Sequence, residues 1–215
     1  MIKIESCIRC PSKNCVKATH AVILLPGRGH SAEMMLNIFD DLLQLENLVI
    51  YSLHPEKEWY PLPNGINDQI EAVEGLKSNT NSIRDYVFEL LKQENISIEN
   101  TIMIGFSAGA VVALEILTSF QDKFSMIIGH SGAILVPDEI KMSENSTKIV
   151  LFHRQDDYCF DWNERYIPMK NALIEKNYNL ELHEMLCGSH LIYREDLNVI
   201  KELVKSASSN IDNHL

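Results

Sequence analysis

The sequence predicts one α/β domain built on a mostly parallel sheet with helices on both faces, and three observations carry that expectation. Short runs rich in Ile, Val, Leu and Met alternate with stretches whose apolar residues recur at threes and fours. The short runs are apolar throughout, as strands covered on both faces must be. At 215 residues, 46% hydrophobic and 23% charged, the chain can bury roughly 70% of its unfolded surface, so it needs neither a disulfide framework nor a structural metal. Residues 1–215 read as a single domain with a polar C-terminal tail over about 207–215.

Each element has its own signal. Ala21 to Leu25 is the first strand, followed by a glycine-containing turn and a helix over Ala32 to Leu45. Leu48 to Leu53 is the second strand. It leads into His54 to Asn67, where Pro55, Pro61, Pro63 and Gly65 predict a long loop at the edge or mouth of the sheet. Trp59, Tyr60 and Leu62 in that loop offer an apolar wall for a substrate pocket. Ser82 to Glu94 is helical, with Ile83, Val87, Leu90 and Leu91 on one face. Further strands cover Thr101 to Gly105, Ser125 to Gly129, Lys148 to Phe152 and Leu180 to Met185, and further helices Ala108 to Phe120, Glu164 to Lys176 and Arg194 to Lys205.

Nineteen Lys plus Arg against thirty Asp plus Glu give a formal charge of −11. That balance argues against nucleic acid or an anionic membrane as partner, because both need clustered positive charge. No run of eighteen apolar residues exists and the N-terminus lacks a signal core, so a cytoplasmic protein without membrane insertion is expected. Five cysteines is an odd count, which implies free thiols. Cys7, Cys10 and Cys15 crowd together, but a closed zinc site needs a fourth ligand and only His20 is near, so neither metal nor other cofactor is expected.

The segment Thr101-Ile-Met-Ile-Gly105-Phe106-Ser107-Ala108-Gly109 runs from an apolar strand through Gly-x-Ser-x-Gly into a helix. A sharp strand-to-helix turn exposes the serine, and only very small residues two before and two after it let the backbones pass. A serine nucleophile needs a base, and the base a group that fixes its tautomer. Of eight histidines, His190 follows the last strand and precedes the last helix, on the carboxyl edge of the sheet where Ser107 also lies. The acid belongs after the strand Lys148 to Phe152, where Asp156 and Asp157 are both candidates. Serine, acid, histidine is the α/β-hydrolase order. Backbone amides for an oxyanion would come from Ala108, directly after the serine, and from Arg28 in the loop after the first strand. That loop lacks the spacer and terminal Gly-Lys-Ser/Thr of a phosphate loop, and Ser31 could simply cap the next helix.

With these residues in place the chain resembles the phospholipase/carboxylesterase family of α/β hydrolases. Pro26-Gly27-Arg28-Gly29-His30-Ser31-Ala32-Glu33 is similar to its His-Gly-x-Gly-x-Ser-Ala-Glu loop, and Gly105 to Gly109 to its Gly-Phe-Ser-x-Gly elbow. His130-Ser131-Gly132 and Trp59-Tyr60-Pro61 also have counterparts there. The family's acid loop, His-Gly-x-x-Asp, aligned on His153, gives the acid role to Asp157. Pro26 and Arg154 depart from the family pattern, standing where it has histidine and glycine. The resemblance implies an α/β-hydrolase fold, a serine hydrolase acting on small carboxylic esters or thioesters, and a possible homodimer. A peptidase on the same scaffold, or an inert binding protein, are the rival readings.

Overall fold

The computed structural model of the protein describes residues 2–13, 15, 17–62, 66–144 and 146–209, those at 66–69 by their backbone alone. The described residues form a seven-stranded sheet of strands β1 (Ile4–Pro11), β2 (His20–Leu25), β3 (Leu48–Pro55), β4 (Thr101–Phe106), β5 (Met126–His130), β6 (Lys148–Arg154) and β7 (Asn179–Met185). Their spatial order is β1-β3-β2-β4-β5-β6-β7. All neighbours pair in parallel except β1, which lies antiparallel on β3 at the edge. The chain is thus an α/β fold, as the alternation predicts.

The two-residue period of the strands divides the core. Ala21, Ile23 and Leu25 of β2 face one cluster with residues of α2 (Ile66–Glu94), α3 (Ala108–Phe120) and α4 (Ile167–Glu175), such as Ile83, Val112 and Leu173. Val22 and Leu24 face the other, with Met35 of α1 (Ala32–Ile38) and Ile200 and Val204 of α5 (Arg194–Ser209). Every residue of β2 and β4 is buried, which is why these runs carry no polar alternation.

Several boundaries differ from the sequence expectation. β1 is not foreseen, because an edge strand that reads Ile-Glu-Ser-Cys-Ile-Arg-Cys-Pro is only partly buried and has no apolar run. On it, Cys7 pairs opposite Leu53 and Cys10 opposite Ile50, so the two thiols point to opposite faces of the sheet. The helix expected over Ala32 to Leu45 stops at Ile38 and continues as a 3-10 segment, Asp40–Gln44. The proline-rich loop is shorter than expected: His54 and Pro55 end β3, and α2 starts at Ile66 rather than at Ser82. Gly75, Ser78, Asn79, Thr80 and Asn81 are weak helix formers that hide this first half, yet Ala72 and Leu76 are buried in register with Ile83 and Val87. The residues Pro63 to Gly65 of the expected loop, and positions 210–215 of the expected tail, lie outside the described residues, and 207–209 belong to α5. The register pairs Leu25 with Gly105 and Phe106 with His130, so the carboxyl ends of β2, β4 and β5 share one edge.

Candidate active site

Ser107 sits between β4 and α3 with φ 53° and ψ −119°, a backbone conformation that L residues rarely hold. Its amide donates to the His130 carbonyl (2.9 Å), and its carbonyl accepts from Ala110 (3.0 Å) and Val111 (3.1 Å), so strand and helix pin the turn from both sides. The flanking glycines are needed for close approach. A Cβ on Gly105 would strike Ala110 and the Gly109 carbonyl, and one on Gly109 would strike the Leu25 carbonyl. Ala108, the first residue of α3, stands next to the serine on the wall of a cavity.

The loop after β2 packs directly on this turn: a Cβ on Gly27 would lie 2.9 Å from the Phe106 ring and 3.1 Å from Ser107 Cβ. Ser31 caps α1 by accepting from the Met34 amide (3.1 Å). Arg28 lines the cavity. Its guanidinium donates to the Tyr60 carbonyl (3.2 Å) and pairs with Glu58. Trp59, 2% exposed, is absent from the cavity wall and donates its indole N–H to the Pro26 carbonyl (2.8 Å). Tyr60 and Leu62 do line the cavity. The segment expected as an apolar wall is therefore half wall and half buttress, with Trp59 holding the loop that presents Arg28.

The histidine is held from the end of β6. Asp157, 3% exposed, accepts from His190 Nδ1 through both oxygens, Oδ2 at 2.8 Å and Oδ1 at 3.0 Å. Its Oδ1 also accepts from the amides of Cys159 (2.8 Å) and Phe160 (2.9 Å). Burial pushes this carboxyl upward, but the His190 hydrogen bond and the two amides outweigh it and leave the group below the usual carboxylate range. The neighbouring Asp156 points elsewhere and accepts from the amides of Gly188 (3.1 Å) and Ser189 (2.7 Å). Asp157 thus meets the ring of His190 and Asp156 the backbone leading to it. Arg154, one of the two departures from the family pattern, is 4% exposed, lies off the cavity wall and sits behind the histidine loop.

Ser107 and His190 open onto the same cavity of about 700 Å³. Sequence reasoning had not singled out His30, Ile38, Phe106, Tyr158, Cys159 and Phe160 as parts of its wall. The signal was adjacency, since Tyr158 to Phe160 directly follow Asp157. Phe106 is the hub: its ring stacks on His30 (centroids 5.5 Å apart) and tilts against His190 (5.1 Å). Burial, and then the nearby His190, lower the pKa of His30, which keeps it neutral near pH 7. Asp157, Cys159 and His190 also offer three donor atoms within 4.8 Å of one another, the one such group among the described residues, but the Asp157–His190 hydrogen bond already occupies two of them.

A model of the phospholipase/carboxylesterase family matches residues 6–208. Among solved structures, esterase PE8 superposes with a TM-score of 0.82 at 20% identity over 95% of this chain and 99% of its own. The Bacillus cereus carboxylesterase gives 0.77 at 18% identity over 96% and 95%. The phospholipase/carboxylesterase from Dyadobacter fermentans gives 0.76 at 20% identity over 92% and 95%. At these identities the superpositions establish a shared fold.

Proposed function

Since this chain belongs to the phospholipase/carboxylesterase family of α/β hydrolases, we propose that it cleaves small carboxylic esters or thioesters through an acyl-enzyme on Ser107. The observation that carries this reading is the 2.8 Å contact of His190 Nδ1 with buried Asp157, on a histidine that shares its cavity with the strained Ser107. Donation from Nδ1 leaves the Nε2 lone pair free to act as base. In the proposed reaction His190 takes the Ser107 hydroxyl proton as Oγ bonds to the substrate carbonyl carbon. The carbonyl oxygen becomes an oxyanion, which the amides of Ala108 and Arg28 receive. Collapse breaks the C–O or C–S bond, and His190 gives its proton to the departing alcohol or thiol. Water then repeats the sequence, with His190 as base, and releases the acid and free Ser107.

The setting agrees with a neutral, partly apolar substrate, for the cavity wall combines Phe106, Tyr158, Phe160, Leu191 and Ile192 with few charged groups. No helix among the described residues is long and apolar enough to cross a membrane. Five free cysteines, two of them exposed, suit the reducing cytoplasm. The test is turnover of a panel of p-nitrophenyl esters, acyl thioesters and peptide amides by wild type and Ser107→Ala. Wild type should hydrolyse esters or thioesters well above amides, and Ser107→Ala should fold and be inactive. Equal rates in the two proteins would remove the mechanism, and a preference for amides would make the protein a peptidase.

A further inference from the structure

Behind the histidine loop lies a buried ionic cluster that the proposed reaction does not use. Arg154 ends β6 and Asp196 lies in the first turn of α5, each 4% exposed. Arg154 Nη2 donates to Asp196 Oδ2 at 2.8 Å. The same oxygen accepts from the Tyr193 amide at 2.9 Å and meets His130 Nε2 at 3.0 Å. Burial would raise the Asp196 carboxyl, yet His130, the Tyr193 amide and Arg154 together bring it down to about 2, so it stays ionised. Asp196 therefore meets the charge of the buried guanidinium.

The rest of Arg154 is turned toward the loop that carries His190. Its Nη1 donates to the carbonyl of Leu191 at 3.2 Å, and its guanidinium carbon lies 4.4 Å from the Tyr193 ring centroid. Tyr193 in turn donates its hydroxyl to the Gly188 carbonyl at 3.0 Å, closing the loop on itself. Gly188 has φ +126°, and a Cβ there would run into the Arg154 side chain. The backbone on both sides of His190 is thus moulded around one guanidinium. Its planar fork spans two acceptors while its face stacks on an aromatic ring, which an ammonium cannot reproduce.

We propose that Arg154 is a positioning residue which, through the Leu191 carbonyl and the Tyr193 ring, holds the Gly188–Tyr193 loop in the one arrangement that aims His190 at Ser107. This role rests on the reading of His190 as the base. It differs from a purely structural ion pair, because a lysine would still neutralise Asp196 but would release the loop.

The experiment compares wild type, Ser107→Ala, Arg154→Lys and Arg154→Met for p-nitrophenyl butyrate turnover and Tm. It also follows the low-field proton signal of His190 Nδ1, identified by its loss in His190→Gln. Arg154→Lys should keep its Tm within about 3 °C of wild type. Its kcat should fall about tenfold to a hundredfold with KM changed by less than about twofold, and the low-field signal should shift or broaden. Arg154→Met should lose at least as much kcat, and lysine covers the case in which methionine does not fold. Wild-type kcat in Arg154→Lys, or an unmoved low-field signal, would overturn the proposal. Should Ser107→Ala turn over ester as wild type does, the hydrolase reading fails by itself, and the low-field signal still decides whether Arg154 sets His190.

Discussion

Two adjacent carboxylates divide the work on the histidine loop: Asp157 meets the imidazole, and Asp156 holds the Gly188 and Ser189 amides. Removing the Asp157 charge should affect the reaction far more than removing that of Asp156. An asparagine at position 157 can present its N–H₂ to Nδ1, which favours the wrong tautomer and leaves no anion beside the imidazolium. We expect Asp157→Asn to lower kcat/KM for a small ester by about three to four orders of magnitude. The Asp156→Asn change keeps a carbonyl acceptor for the loop amides, so it should cost less than about tenfold. Steady-state kinetics of the two variants check this ranking, and the reverse order would assign the acid to Asp156. From sequence alone both aspartates were open, because adjacency in a loop does not say which side chain turns inward. The alignment on His153 pointed to Asp157, and the geometry shows which carboxylate reaches the ring.

Among the elements, what the sequence displays depends on how completely each is buried. β2 and β4 have no exposed residue, so their apolar runs stood out, and the Gly-x-Ser-x-Gly turn between β4 and α3 was legible because close packing leaves no alternative to glycine there. β1 escaped because an edge strand needs only one covered face and one paired side, and its Glu5, Ser6 and Arg9 read as loop. The first half of α2 escaped for a different reason. Its weak helix formers are overridden by tertiary packing, with Ala72 and Leu76 buried and Gly75 seated against Pro61. Trp59 was legible as important and not as to its purpose: an aromatic side chain in a proline-rich loop can face a ligand or hold a neighbouring loop, and the indole bond to Pro26 makes it the second. The Arg154–Asp196–His130 cluster was invisible, since its members come from three elements 24 to 66 residues apart that only the fold unites.

Over the whole molecule, the buried titratable groups set how stability responds to pH. Burial lowers the pKa values of His20, His130 and His153 in the folded protein. Each contributes stability that is present above the unfolded histidine value of about 6.5 and is lost as pH falls below it. Asp157 and Asp196, also lowered, add a second loss as pH drops below about 4. Tm measured by calorimetry should therefore decline between pH 7.5 and 5 and more steeply below pH 4; a flat or rising Tm over the first interval would contradict this role of the buried histidines. The elbow, the histidine loop and the cavity converge on Ser107, which is the proposed nucleophile. Intact-mass spectrometry after incubation with a fluorophosphonate reads that nucleophile out, because the reagent bonds to a serine only when a working base and oxyanion site activate it. One adduct on wild type and none on Ser107→Ala is the expected result, and a folded wild-type protein that takes up no adduct would remove Ser107 from that role.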